Sequence, residues 1–197
     1  MSRSKLPRKL EKALILASQA LSEVGARWLL AGSTASFLNG LKVEPKDLDI
    51  IVETPKVYDA DRVFAEHFKA ERRVSYSSTG LYASHYGVFK INRVNVDLMA
   101  ELEICCPEGC MKLDFDTIYP QALAVRVGEM EVRLLPLEWQ LVANTMIPGK
   151  EKRVKAILEL LSSEGYSRVA LKSALDAAPN RVRKQVEELL RRAGIVV

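Results

Sequence analysis

Asp47 and Asp49 stand one residue apart at the head of the apolar run DLDIIVE. If that run is a strand, its side chains alternate and both carboxylates face the same side. Two strand rises put their Cα atoms roughly 6.5–7 Å apart. Like charges so close repel, and burying them is costly unless something neutralises them. A divalent cation does this. Mg²⁺ takes hard oxygen ligands, often one or two carboxylates together with substrate phosphates. A turn aspartate followed by an aspartate paired with a lysine or arginine would give the same letters without a metal.

Two further features bear on the choice. Gly32-Ser33 closes the apolar run RWLLAG and opens TASFLNG. Such a strand-to-helix junction offers free backbone N–H groups and a positive dipole end, which suits a phosphate. Gly32 permits close approach of the backbone to a ligand, and Ser33 is a fair helix N-cap with a hydroxyl to donate. A tight turn with a capping serine reads the same way. Asp97 is set among Val94, Val96, Leu98 and Met99. If its strand lies beside DLDII, it joins the other two acids, with Glu101 on the same strand face in reserve. If it lies on an edge, it faces water.

The elements that must position these residues are legible from periodicity. Leu10, Leu14, Ala17, Leu21 and Val24 make a helical stripe over residues 7–25, stopped by Gly25. RWLLAG is a short strand, TASFLNG two helical turns ending at Gly40, LKVEPK a turn, and DLDIIVE a strand. PKVYDADRVFAEHFKAE predicts a helix with Thr54 as cap and Pro55 at its first position, and RRVSYSS a strand. GVFKI and VNVDLMAELEI alternate about Asn92-Arg93, which predicts a hairpin. ALAVRV and MEVRLLP form a second about Gly128-Glu129. From Pro136 the texture turns helical through LEWQLVANTMI, EKRVKAILELLSSEG, SRVALKSALDAA and NRVRKQVEELLRRAG. The expected class is α/β (α+β): a mixed sheet flanked by helices over residues 1–135, then an α-helical domain over 136–197.

Composition narrows the function classes. Of 197 residues 48% are hydrophobic and 27% charged, an ordinary globular balance. No apolar run approaches the roughly 18 residues needed to span a bilayer. The basic N-terminus MSRSKLPRKLEKALILASQ reads as an amphipathic helix rather than a signal peptide, so a cytoplasmic protein without membrane contact is expected. The net charge of +4 is uneven. From Lys150 onward eleven Lys/Arg face six Asp/Glu, a basic excess that suits an anionic partner such as RNA or a nucleotide, or merely a solvated helix face. Cys105, Cys106 and Cys110 lack paired zinc-site spacing, and His67 and His85 lie far off. Buried thiols or a local disulfide fit them.

Together WLLAGS, DLDI and VNVDLM resemble the pattern of the nucleotidyltransferase superfamily that shares the DNA polymerase beta fold. There an apolar strand, Gly-Gly or Gly-Ser, Asp-x-Asp or Asp-x-Glu and a later acid follow in that order. The resemblance spans about residues 27–100 and is closest to the small prokaryotic minimal and AbiE-type groups. SHYGVFKINRVNVDLM is similar to the hairpin that carries their third acid, and LPLEWQLVANTMIPGKEKRVKAILELL to a helical segment of theirs. The resemblance implies Mg²⁺ or Mn²⁺ held by Asp47, Asp49 and Asp97. It implies a nucleoside triphosphate held by Gly32 and Ser33, with Lys150, Lys152 and Arg153 either touching the triphosphate or the acceptor or forming a solvated helix start. It further implies transfer of a nucleotide to a hydroxyl on RNA or tRNA, a protein or a small molecule. An antitoxin-like regulatory protein that keeps the fold without catalysis is the alternative.

Overall fold

The computed structural model describes residues 5–196. Residues 1–4 of the basic N-terminal stretch, and residue 197, lie outside them. The chain opens with helix α1 (Arg8–Glu23), strand β1 (Trp28–Ala31), helix α2 (Gly32–Leu38), strand β2 (Leu48–Val52) and helix α3 (Val57–His67). Strands β3 (Lys69–Ser78), β4 (Tyr82–Ile91), β5 (Val94–Cys106) and β6 (Gly109–Lys112) follow, then the short helix α4 (Phe115–Ile118) and strands β7 (Leu123–Val127) and β8 (Met130–Leu134). Four helices complete the fold: α5 (Leu137–Met146), α6 (Glu151–Glu164), α7 (Arg168–Ala177) and α8 (Asn180–Arg192).

The eight strands form one mixed sheet in the order β3-β4-β5-β2-β1-β8-β7, with β6 paired to β5. β2 runs parallel to β5 and β1 parallel to β8; the other pairs are antiparallel. Alternation splits the sheet into two buried faces. Leu48, Ile50 and Val52 of β2, with Val96 and Leu98 of β5, pack under α1 and α3. Ile51 and Met99, one step out of phase, face the C-terminal helices and join a cluster with Trp139, Leu141, Ile157, Leu171 and Val186. Both acids on strands, Asp49 and Asp97, share this second parity.

Polar ties hold the layers. Buried Asp61 on α3 pairs with Arg73 and accepts the backbone N–H of Val74, fixing α3 to β3. Ser36 on α2 donates to Gln140 on α5 at 2.6 Å, a buried bond from the site half of the chain to the C-terminal helices.

The expected hairpins form where the turn residues demand. Asn92 and Arg93 both adopt positive φ (49° and 64°), the geometry that suits a two-residue hairpin loop. Several expectations need correction. The helix expected from Pro55 through Glu71 starts with a 3₁₀ turn (Thr54–Lys56), has no side-chain cap bond from Thr54, and ends at His67. Lys69–Glu71 instead begin β3, which is longer than RRVSYSS suggests, because pairing with β4 outweighs local helix preference. Of the two readings for the cysteines, the local disulfide holds for one pair: Cys105 and Cys110 face each other across β5 and β6 and form it, while Cys106 is free.

Candidate functional site

A cavity of about 710 Å³ opens on the sheet face that packs against the C-terminal helices, at the N-terminal ends of β2 and β5. Its lining includes Gly32, Ser33, Asp47, Asp49, Asp97, Lys150 and Arg153. Seven of the eight residues singled out from sequence therefore meet in one place. Lys152 does not. It is exposed on the first turn of α6, where 100° per residue turns it away from the side that carries Arg153.

The three acids are placed by backbone register. Ala31 pairs with Asp49 across β1 and β2, and Asp49 with Asp97 across β2 and β5. Adjacent strands lie about 4.8 Å apart, and paired residues share a face, so Asp49 and Asp97 are side by side. Asp47 sits just before β2 rather than in it, and α2 holds it. Ser33 Oγ donates to Asp47 Oδ1 at 3.1 Å, and Thr34 Oγ1 donates to the Asp47 carbonyl at 2.6 Å. The helix-capping role expected of Ser33 is thus replaced: α2 starts at Gly32, its cap position is Ala31, and no side chain caps it.

Gly32 explains how Asp49 fits. Its φ is +62°, and a Cβ there would lie 1.7 Å from Asp49 Oδ2. Any other residue would collide with the carboxylate in addition to being strained. The close approach read from sequence is therefore first of all to Asp49.

Electrostatics single out the same residue. Burial pushes Asp49 up to about 7, and the neighbouring charges of Asp47 and Asp97 add to this, while Arg153 and Lys150 oppose it. Asp97 is also raised, mainly by burial and further by Asp47, against the hydrogen bond it accepts from Tyr86. Tyr86 itself is pushed up to about 12 by burial and by the charge of Asp97.

Several lining residues escaped the sequence reading. Arg72, Ser77, Thr79, Tyr82, Ser84 and Tyr86 come from β3, β4 and their turn, and Gln140 and Asn144 from α5. For Tyr86 a signal existed. Folding the hairpin about Asn92-Arg93 sets Val88 opposite Asp97 and Tyr86 two residues further on the same face. Glu101, the reserve acid, does not line the cavity. It occupies a bulge with φ +53° and lies 3.4 Å from His85 and 3.7 Å from Lys112.

No protein-family model matches the chain, and no curated protein matches it in sequence. Solved structures do. The crystal structure of TM1012 from Thermotoga maritima, provisionally assigned as a nucleotidyltransferase, is 25% identical with a TM-score of 0.62, over 78% of this chain and 91% of that one. The antibiotic-resistance factor ANT(2'')-Ia is 11% identical with a TM-score of 0.52, over 96% of this chain and 97% of that one. Its likeness is one of fold. The chain therefore has the nucleotidyltransferase fold, a mixed sheet flanked by helices with a helical C-terminal segment.

Proposed function

We propose that the protein is a metal-dependent nucleotidyltransferase. It moves a nucleoside monophosphate from a nucleoside triphosphate to an acceptor hydroxyl and releases pyrophosphate. The observation that carries this reading is the gathering of Asp47, Asp49 and Asp97 in one cavity beside Gly32, opposite Lys150 and Arg153. Within the class, the likeness of SHYGVFKINRVNVDLM and of LPLEWQLVANTMIPGKEKRVKAILELL supports the small prokaryotic minimal and AbiE-type groups.

The donor set fits Mg²⁺ or Mn²⁺. It is all carboxylate oxygen, with no thiol or imidazole, and Asp49 is raised first by burial and further by the charges of Asp47 and Asp97, both of which a bound cation would offset. Among the described residues no three His, Cys, Asp or Glu side chains enclose a single ion as they stand. A paired set, Asp49 beside Asp97, with Asp47 two residues before Asp49, is a division that a two-metal site uses. Bound there, the metal would neutralise the acids and stabilise charge on the attacking and leaving oxygens.

The chain's own residues supply the rest. Lys150, Arg153 and the backbone at Gly32-Ser33 hold the triphosphate and set its α-phosphorus in line with the acceptor. Asp97 takes the acceptor's proton as its oxygen bonds to that phosphorus and the bond to the β-phosphate oxygen breaks. Ser77, Thr79, Tyr82 and Ser84 present hydroxyls along the neighbouring wall, which suits a compact hydroxylated acceptor. RNA, tRNA and protein hydroxyls are the other acceptors of the same chemistry. In this division of labour residues 1–135 carry the acids together with Lys46 and Arg72, and residues 136–197 close the cavity and add Lys150 and Arg153.

Incubation with each α-labelled nucleoside triphosphate, Mg²⁺ or Mn²⁺, and either total RNA or a cell lysate separates these. Label moves into a product whose size identifies the acceptor class, and Asp47→Asn abolishes it. Absence of label with every nucleotide, in both mixtures, counts against the reading.

A further inference from the structure

Asp97 is gripped by a side chain that the chemistry described so far does not use. Tyr86 lies on β4, two residues from Val88, which pairs with Asp97 across the ladder. Residues two apart on a strand share a face, and diagonal neighbours lie within reach of a long aromatic side chain. The Tyr86 hydroxyl accordingly donates to Asp97 Oδ2 at 3.1 Å. The ring is fixed in turn by Arg72 on β3, whose guanidinium sits 5.3 Å from its centroid, a cation–π contact. All three side chains line the cavity. Asp47, at the other end of the acid set, is held in the same manner by Ser33 Oγ, also at 3.1 Å.

We propose that Tyr86 is a positioning residue. It engages Oδ2 of Asp97 and so fixes the carboxylate in one orientation, leaving Oδ1 to ligate a cation, while Arg72 holds the Tyr86 ring in that pose. This rests on the reading of Asp97 as a metal ligand. A ligating carboxylate that is free to rotate must be ordered at the moment of binding, and a hydrogen-bond partner does that ordering in advance. Loss of such partners characteristically weakens metal affinity by about 10–100-fold.

The test is Mn²⁺ binding, followed by electron paramagnetic resonance, to the full chain with and without ATP. Tyr86→Phe removes only the hydroxyl. We expect it to weaken Mn²⁺ binding about tenfold or more, with the melting temperature and metal-free ATP affinity unchanged. Arg72→Met, at an exposed position, is expected to weaken Mn²⁺ binding in the same direction by a smaller factor, and it keeps the inference testable should Tyr86→Phe fail to fold. High Mn²⁺ restores turnover in Tyr86→Phe, which a merely structural defect would not allow. Mn²⁺ affinity equal to or tighter than wild type in Tyr86→Phe overturns the inference and leaves the nucleotidyltransferase reading standing. Failure of the wild type to bind Mn²⁺ with ATP present overturns both.

Discussion

Burial and the charges of Asp47 and Asp97 push Asp49 up to about 7 from its ordinary 3.8. The metal-free folded state therefore holds a proton on Asp49 that the unfolded chain releases near pH 4. The contribution of this group to stability is fully present below that point and is lost as pH rises from about 4 to 7. A shift of this size corresponds to roughly 4 kcal/mol. Asp49→Asn removes the charge and keeps the shape. It is expected to flatten that pH dependence and to raise the melting temperature near neutral pH in chelator, by several degrees at about 2–4 °C per kcal/mol. The same substitution is expected to lower nucleotidyl transfer by orders of magnitude. Thermal unfolding between pH 4 and 8 and an activity assay together check both. Gly32→Ala is expected to be severe for a different reason: its methyl group would occupy the space of Asp49 Oδ2. It should displace the carboxylate and destabilise the fold, read as a lower denaturation midpoint in urea.

At the level of elements, the strands at the site were legible because their patterns are strong. The alternating runs around Asn92-Arg93 gave the hairpin, and the apolar flanks of Asp49 and Asp97 gave the two strands that become neighbours. What was hidden is what depends on contacts distant in sequence. Arg72 and Ser77 fall within the expected strand, but they reach the cavity only through the pairing of β3 with β4, which local pattern does not reveal. Ser33 looked like a helix cap because its partner, Asp47, lies fourteen residues away. Glu101 looked like a second acid beside Asp97 because strict alternation was assumed. A register shift between Ala83 and His85 places one extra residue in β5. Beyond it Leu102 and Ile104 take over the face that Asp97 and Met99 occupy. This bulge keeps β5 apolar towards the C-terminal helices from Met99 to Ile104. Glu101→Gly relieves a left-handed backbone at the cost of two surface ion contacts, and should change stability by no more than about 1 kcal/mol. Deletion of Glu101 removes the extra residue and leaves Leu102 and Ile104 on the same face in plain alternation, so it should lower stability far less than a register slip would. Urea unfolding of the two variants checks both.

On the scale of the whole molecule, two halves that read differently in sequence share one buried cluster. Met99, Leu102, Ile104, Met111 and Leu113 pack against residues of α5 to α8, and no helix among the described residues is long and apolar enough to cross a membrane. Removal of residues 136–197 would bare that face, so the shortened chain is expected to bind hydrophobic dyes and to aggregate, as solution light scattering would show. The same helices bring Lys150 and Arg153 over the acids. The basic excess beyond them is partly engaged within the chain: Lys172 and Arg183 meet Asp176, Arg183 also meets Glu187, and Arg191 and Arg192 meet Glu188. Of the cations in this C-terminal segment, those that matter for the proposed chemistry are thus Lys150 and Arg153, which line the cavity, a distinction that charge counting alone does not make. The most direct measurement of the central claim is calorimetric titration of the full chain with ATP and with UTP, in Mg²⁺ and in chelator, for wild type and Asp49→Asn. The account predicts that Mg²⁺ tightens binding of at least one nucleotide tenfold or more in the wild type and that Asp49→Asn loses this gain. Equal affinity with and without Mg²⁺, unaltered by the substitution, would contradict it.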